Sequence, residues 1–146
     1  MNVLVTGGAG FIPSHIVDRL LKDGHKVTVL DLWESDESKV HNGNSNFEFI
    51  KGDVLNDDLI AQCMEGKDRV IHMAAVLGTA ETITTFDVEK VCTVNIVGTT
   101  KILKAAKKAG VGRVLIPTTP DVPWINPYKI TKAAVEKLCQ LFSIEY

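Results

Sequence analysis

The sequence predicts an α/β fold, a doubly wound parallel sheet in a single domain over residues 1–146, on three observations. Short β-branched runs alternate with longer helical patterns, the signature of parallel strands joined by crossover helices. A glycine-bearing turn sits where the first strand hands over to the first helix. The length suits one hydrophobic core and leaves no room for a second.

Taken in order, the strand candidates are NVLVT, KVTVLD, FEFIKGD, RVIHMAA and RVLIPTT. Between the first two, Ile12, Ile16, Val17, Leu20 and Leu21 recur at helical spacing, and Gly24 follows as a stop. That is one βαβ unit in about thirty residues. The stretch Glu34 to Asn46 reads as a polar surface excursion. A long helix is expected over Glu89 to Ala109, closed by Lys107, Lys108 and Gly110, and a last helix from about Pro127 toward Tyr146. Right-handed crossovers then give a doubly wound sheet, for which the expected strand order is 3-2-1-4-5, with the ligand crevice beyond the carboxyl ends of the strands, beside the first.

A net charge of -2 and 45% hydrophobic residues give the chain no electrostatic reason to seek nucleic acid or an anionic membrane. The basic cluster Lys101, Lys104, Lys107 and Lys108 is read as a helix's solvated face. Cys63, Cys92 and Cys139 are widely spaced and odd in number, which fits reduced thiols and a cytoplasmic location. No run approaches a membrane span, and no ligand spacing joins His15, His25, His41 and His72 into a metal site.

Every motif with chemistry in it falls at the crevice. In VTGGAGFIPSH, Gly7 permits a tight turn, Gly10 lets backbone approach a pyrophosphate, and the following helix offers unpaired N–H groups to an anion. Asp31, at the end of the second strand, stands where an acid would bind a ribose 2′-hydroxyl; Leu32 and Trp33 offer no cation for a 2′-phosphate, so NAD is favoured over NADP. This is a Rossmann-type pattern with one departure, Pro13, where a third glycine is due. Proline is tolerated in a first helical turn, so the expectation is a helix held slightly away from the strand and a site that is altered but present.

Near the end, NPYKITK sets Tyr128 and Lys132 four apart, on one face of a helix. An ammonium beside a phenol favours the phenolate, and the expectation is a Tyr128 tuned toward general-base work. Thr118 and Thr119 precede the pair at the carboxyl end of the fifth strand.

Together these stretches resemble the extended short-chain dehydrogenase/reductases, specifically the NAD-dependent nucleotide-sugar epimerases and dehydratases, over essentially the whole chain. VTGGAGFI resembles the group's phosphate turn, GDV at Gly52 to Val54 its adenine-side loop, HMAA at His72 to Ala75 its fourth-strand motif and NIVGT at Asn95 to Thr99 its helix motif. The resemblance implies cofactor contacts from Gly7, Gly10, Phe11, Ile12, Asp31, Asp53, Val54, Ala74, Ala75 and Lys132. It gives Asn95 a structural part and makes His72 a strand-end spacer rather than a catalytic group.

The same resemblance implies that Tyr128 takes a proton from a sugar hydroxyl as hydride passes to the nicotinamide, with Thr119 bonding the same oxygen and Lys132 tuning the tyrosine. The ketosugar so formed is reduced from its other face, or its acidified neighbouring C–H allows elimination or decarboxylation. Asp121, two residues after Thr119, stands where the dehydratase and decarboxylase branches carry a carboxylate; it is equally readable as a turn aspartate in PDVP. The resemblance further implies a nucleotide-sugar substrate and a homodimer through the two long helical segments. Three departures leave a non-catalytic NAD-binding module as the alternative. They are Pro13, the nine positions from Thr119 to Tyr128 where the group has a longer loop, and the absence from this chain of the group's C-terminal substrate-binding half.

Overall fold

A computed structural model describes residues 1–77, 87–120 and 125–145. Five parallel strands form one sheet: β1 (Asn2–Thr6), β2 (Lys26–Asp31), β3 (Phe47–Lys51), β4 (Arg69–His72) and β5 (Arg113–Leu115). Their spatial order is β3-β2-β1-β4-β5, as expected, so the chain reverses direction across the sheet beside β1, the switch point at which ligands bind in sheets of this kind. The helices are α1 (Phe11–Lys22), α2 (Asp36–Lys39), α3 (Asp57–Met64), α4 (Val88–Cys92), α5 (Thr99–Ala109) and α6 (Pro127–Glu145), with a π-helical stretch Thr93–Gly98 joining α4 to α5.

β1 sits centrally and is buried on both faces, which is why it reads as an unbroken apolar run. Its alternation feeds two cores. Leu4 joins Leu30, Val70, Ile60, Met64 and Ile102 on the side covered by α3 and α5. Val3 and Val5 join Val27, Val29 and Val17 of α1 on the other. Each such side chain, fully buried, contributes roughly 1.5–3 kcal/mol.

Three elements differ from the sequence reading. The strands end sooner, at Lys51, His72 and Leu115, because each stops where its ladder runs out; Ile71 pairs with Leu115, and beyond them Pro117 has no N–H to give. The polar excursion holds a single turn of helix, α2, capped by the Ser35 hydroxyl accepting from Ser38 N–H. Helix α3 was not foreseen: Asn56 caps it by accepting from Leu59 N–H, and Ile60, Cys63 and Met64 form its short buried stripe. In the basic cluster Lys104, Lys107 and Lys108 are exposed, while Lys101 reaches across to Asp57 of α3.

The long helix runs where expected but carries the wide π turn in its middle. There the Thr99 hydroxyl donates to the Asn95 carbonyl (2.6 Å) and the Thr100 hydroxyl to the Ile96 carbonyl (2.8 Å), and the Asn95 side chain leaves the helix to serve another segment. Wide turns of this kind mark functional places in helices. Among the described residues no helix is long and apolar enough to cross a membrane.

Candidate active site at the carboxyl edge of the sheet

The turn after β1 is fixed by its neighbours. Gly7 has φ +69°, and a Cβ there would lie 2.5 Å from the Ala74 backbone nitrogen, so the close approach of the β4 exit demands glycine. Gly7 N–H donates to the Leu30 carbonyl, and Met73 N–H to the Thr6 carbonyl, which ties the turn to both flanking strands. Gly8, which sequence reasoning passed over, packs on β2: a Cβ would meet Val29 at 2.8 Å. Its signal was the unbroken pair GG. Gly8 thus lets the turn itself pack closely on β2.

Pro13 is buried, at the third position of α1, where the N–H it lacks would have had no partner within the helix. The first intrahelical bond follows immediately, from Ser14 N–H to the Gly10 carbonyl (3.0 Å). Phe11 and Ile12 begin the helix with their side chains exposed, so what they offer inward is backbone N–H.

Asp31 lies against this turn. One carboxylate oxygen accepts from Ala9 N–H (3.0 Å) and the other from Leu32 N–H (2.7 Å). Burial pushes its carboxyl above the usual range, against the pull of the backbone N–H groups of Ala9, Leu32 and Trp33. In the adenine-side loop Val54 is buried and would touch a Cβ on Gly98 at 3.2 Å, while Asp53 is exposed and its carboxylate accepts from Leu55 N–H. Ala74 and Ala75 are half-buried at the β4 exit beside Gly7.

His72 is fully buried, and both ring nitrogens are engaged, with Thr6 Oγ1 at 2.6 Å from Nδ1 and Thr99 Oγ1 at 2.9 Å from Nε2. The Thr99 hydroxyl spends its one hydrogen on the Asn95 carbonyl, so Nε2 carries the proton and Nδ1 accepts from Thr6. Burial, aided by the nearby Lys132 charge, lowers its pKa to about 3 and keeps the imidazole neutral. His72 is a strut between β1, β4 and α5. Asn95 is likewise structural: its amide accepts from Val76 N–H (2.7 Å) and donates to the Val76 carbonyl (3.1 Å) and to Thr131 Oγ1 (3.0 Å).

Helix α6 opens on Asn126, whose side chain caps Lys129 N–H, with Pro127 pre-set for the first turn. Tyr128 is half-buried and Lys132 buried. Lys132 Nζ donates to the Pro117 carbonyl (3.1 Å), tying α6 to the segment that carries half-buried Thr119, and lies over the Tyr128 ring, 5.7 Å from its centre. This corrects one expectation. Burial pushes the Tyr128 phenol up rather than down, because the ammonium sits over the ring and is bound to a carbonyl instead of the phenolic oxygen. Burial in turn lowers Lys132, partly offset by Cys139. Asp121 lies outside the described residues.

The turn, the acid at the end of β2, the β4 exit and the Tyr/Lys helix therefore stand along the carboxyl edge of one sheet, where the donors suit an anion and the phenol and ammonium can hold and move a proton. The model of the 3-beta hydroxysteroid dehydrogenase/isomerase family matches residues 4–138, nearly the whole chain. The chain belongs to that family. Within this family of extended short-chain dehydrogenase/reductases, it is 37% identical to a UDP-glucose 4-epimerase of Mycolicibacterium smegmatis, over 97% of this chain and 51% of that protein. Among solved structures it resembles the UDP-glucose 4-epimerase of Thermotoga maritima with UDP-glucose, at 30% identity and a TM-score of 0.82, over 100% of this chain and 52% of that one. It also resembles a dTDP-glucose 4,6-dehydratase of Streptomyces venezuelae with NAD bound, at 27% identity and a TM-score of 0.85, over 100% of this chain and 52% of that one. The chain spans about half the length of these relatives.

Proposed function

We propose that the protein is an NAD-dependent enzyme that modifies a nucleotide-linked sugar through a transient keto intermediate, as an epimerase, dehydratase or decarboxylase. The observation that carries this is the buried Lys132 beside Tyr128, joined through the Pro117 carbonyl to the β5 exit, at the same sheet edge as the glycine turn. The enzyme names and sugar-nucleotide ligands of the relatives support it, and favour a sugar nucleotide over a steroid within this family. They also favour catalysis over a non-catalytic NAD-binding module.

The residues fit the cofactor. Gly7, Gly10 and the backbone at Phe11 and Ile12 would receive the pyrophosphate, Asp31 the adenosine ribose, Asp53 and Val54 the adenine, and Ala74, Ala75 and Lys132 the nicotinamide side. NAD, when bound, supplies the hydride acceptor and donor. Tyr128 Oη takes the proton of the sugar hydroxyl and returns it, Thr119 bonds the same oxygen, and Lys132, held by the Pro117 carbonyl over the Tyr128 ring, ties the turn that carries the phenol to the β5 exit. Asp121 is the candidate acid for elimination. A homodimer through the helices α4 to α6 completes the reading.

Incubating the protein with NAD and UDP-glucose or UDP-glucuronate, and resolving the products by mass, tests it. An epimer, or loss of water or carbon dioxide, is expected. Tyr128→Phe is expected to lower turnover by roughly 100- to 10,000-fold with NAD affinity kept; full turnover in that variant would refute the assignment.

A further inference from the structure

Between Tyr128 and Lys132 lies Thr131, a residue of low helix propensity that is completely buried. Its hydroxyl makes two bonds of different origin. It donates to the Tyr128 carbonyl within the first turn of α6 (2.8 Å), and it accepts from the Asn95 amide, which comes from the π turn of another helix (3.0 Å). A threonine that bonds only its own helix is common and local. Here the second bond joins α6 to the rest of the molecule.

That bond belongs to a longer path. Thr6, immediately before Gly7, donates to His72 Nδ1; His72 Nε2 donates to Thr99; Thr99 donates to the Asn95 carbonyl; and the Asn95 amide donates to Thr131. Every hydroxyl hydrogen in the path is committed, and Thr6, His72, Asn95, Thr99 and Thr131 are all buried. No buried side-chain nitrogen or oxygen among the described residues lacks a partner. The path begins beside the glycine turn and ends on the carbonyl of the tyrosine.

We propose that Thr131 is a positioning residue, whose hydroxyl sets the placement of Tyr128 and Lys132 against the glycine turn through Asn95. The proposal rests on the reading of Tyr128 and Lys132 as the working pair. With the hydroxyl gone, the Asn95 amide loses its acceptor on α6 and the first turn of α6 loses its inner tie, so Tyr128 gains exposure. A buried phenol that gains water ionises more easily.

The test is a titration of tyrosinate absorbance in the protein without added substrate, with Tyr128→Phe identifying the Tyr128 component against Tyr146. Thr131→Ala and Thr131→Ser both lose the methyl group and differ only in the hydroxyl. The expected result is that Tyr128 titrates lower in Thr131→Ala and at the parent value in Thr131→Ser. Equal titration of the two variants would overturn the proposal. So would loss of the fold in Thr131→Ala alone, since the hydroxyl would then hold the fold and not the pair. Turnover of Tyr128→Phe reports separately on the pair: if it stays high, the functional reading fails, while the titrations still decide whether Thr131 places the tyrosine.

Discussion

At the scale of single residues, burial decides the chemistry more than charge does. His72 has an ordinary pKa of 6.5 and a folded one of about 3, so between those values the unfolded chain binds a proton that the folded chain refuses. Stability then rises with pH through that window and is lost as pH falls below 6.5, by up to about 1.4 kcal/mol per pH unit. Thermal melts at pH 7 and at about pH 4.5 should show a steeper loss in the parent than in His72→Asn. Parallel losses would mean that His72 is not the group responsible. Asp31 is the second case, its carboxylate already bonded to Ala9 and Leu32 and flanked by no cation in Leu32 and Trp33. NAD is expected to bind more tightly than NADP, and Asp31→Ala to weaken NAD and narrow that difference. Calorimetric titration of both cofactors checks it, and an unchanged ratio in the variant would remove Asp31 from the ribose.

At the scale of elements, the start of α1 sets how closely its free N–H groups approach the crevice. Pro13 is buried in that first turn, with its ring 3.3 Å from where a Cβ on Gly10 would stand. Pro13→Gly removes the ring and frees the unfolded chain, and should cost about 1–2 kcal/mol of stability. The same change lets the helix settle closer to the turn, and NAD affinity is expected to rise by about tenfold, or roughly 1.4 kcal/mol. Melting and calorimetric titration of both variants separate the two effects. Affinity that is unchanged or lower would make the proline a native part of the site's geometry.

At the scale of the whole molecule, the two long helical stretches pack against each other and still leave Val97, Ile130, Leu141 and Ile144 exposed. Isolated apolar residues need no partner, but four of them on helices of this family fit the expected dimer. Light scattering at tens of micromolar should report about twice 16.0 kDa for this chain, and Leu141→Glu should shift it toward the monomer. A parent that scatters as a monomer would contradict the dimer.

The sequence by itself determined the sheet and its order, because strand and helix periods are local signals repeated along the chain, and the glycine turn marks the passage from β1 to α1. It also located α6, since Pro127 opens the helix and the Tyr128–Lys132 spacing follows from its pitch. Helix α3 escaped because eight residues with three buried side chains carry too short a period to read. Only the tertiary structure decided where Lys132 points, and hence that burial rather than an ion contact governs Tyr128: the Pro117 carbonyl that captures the ammonium is backbone, and it comes from fifteen positions away. The same holds for the path from Thr6 to Thr131. Its members are ordinary threonines, a histidine and an asparagine, and apart from the local Thr99–Asn95 bond the hydrogen-bond partners are so distant in sequence that they leave no periodic trace for a single chain to show.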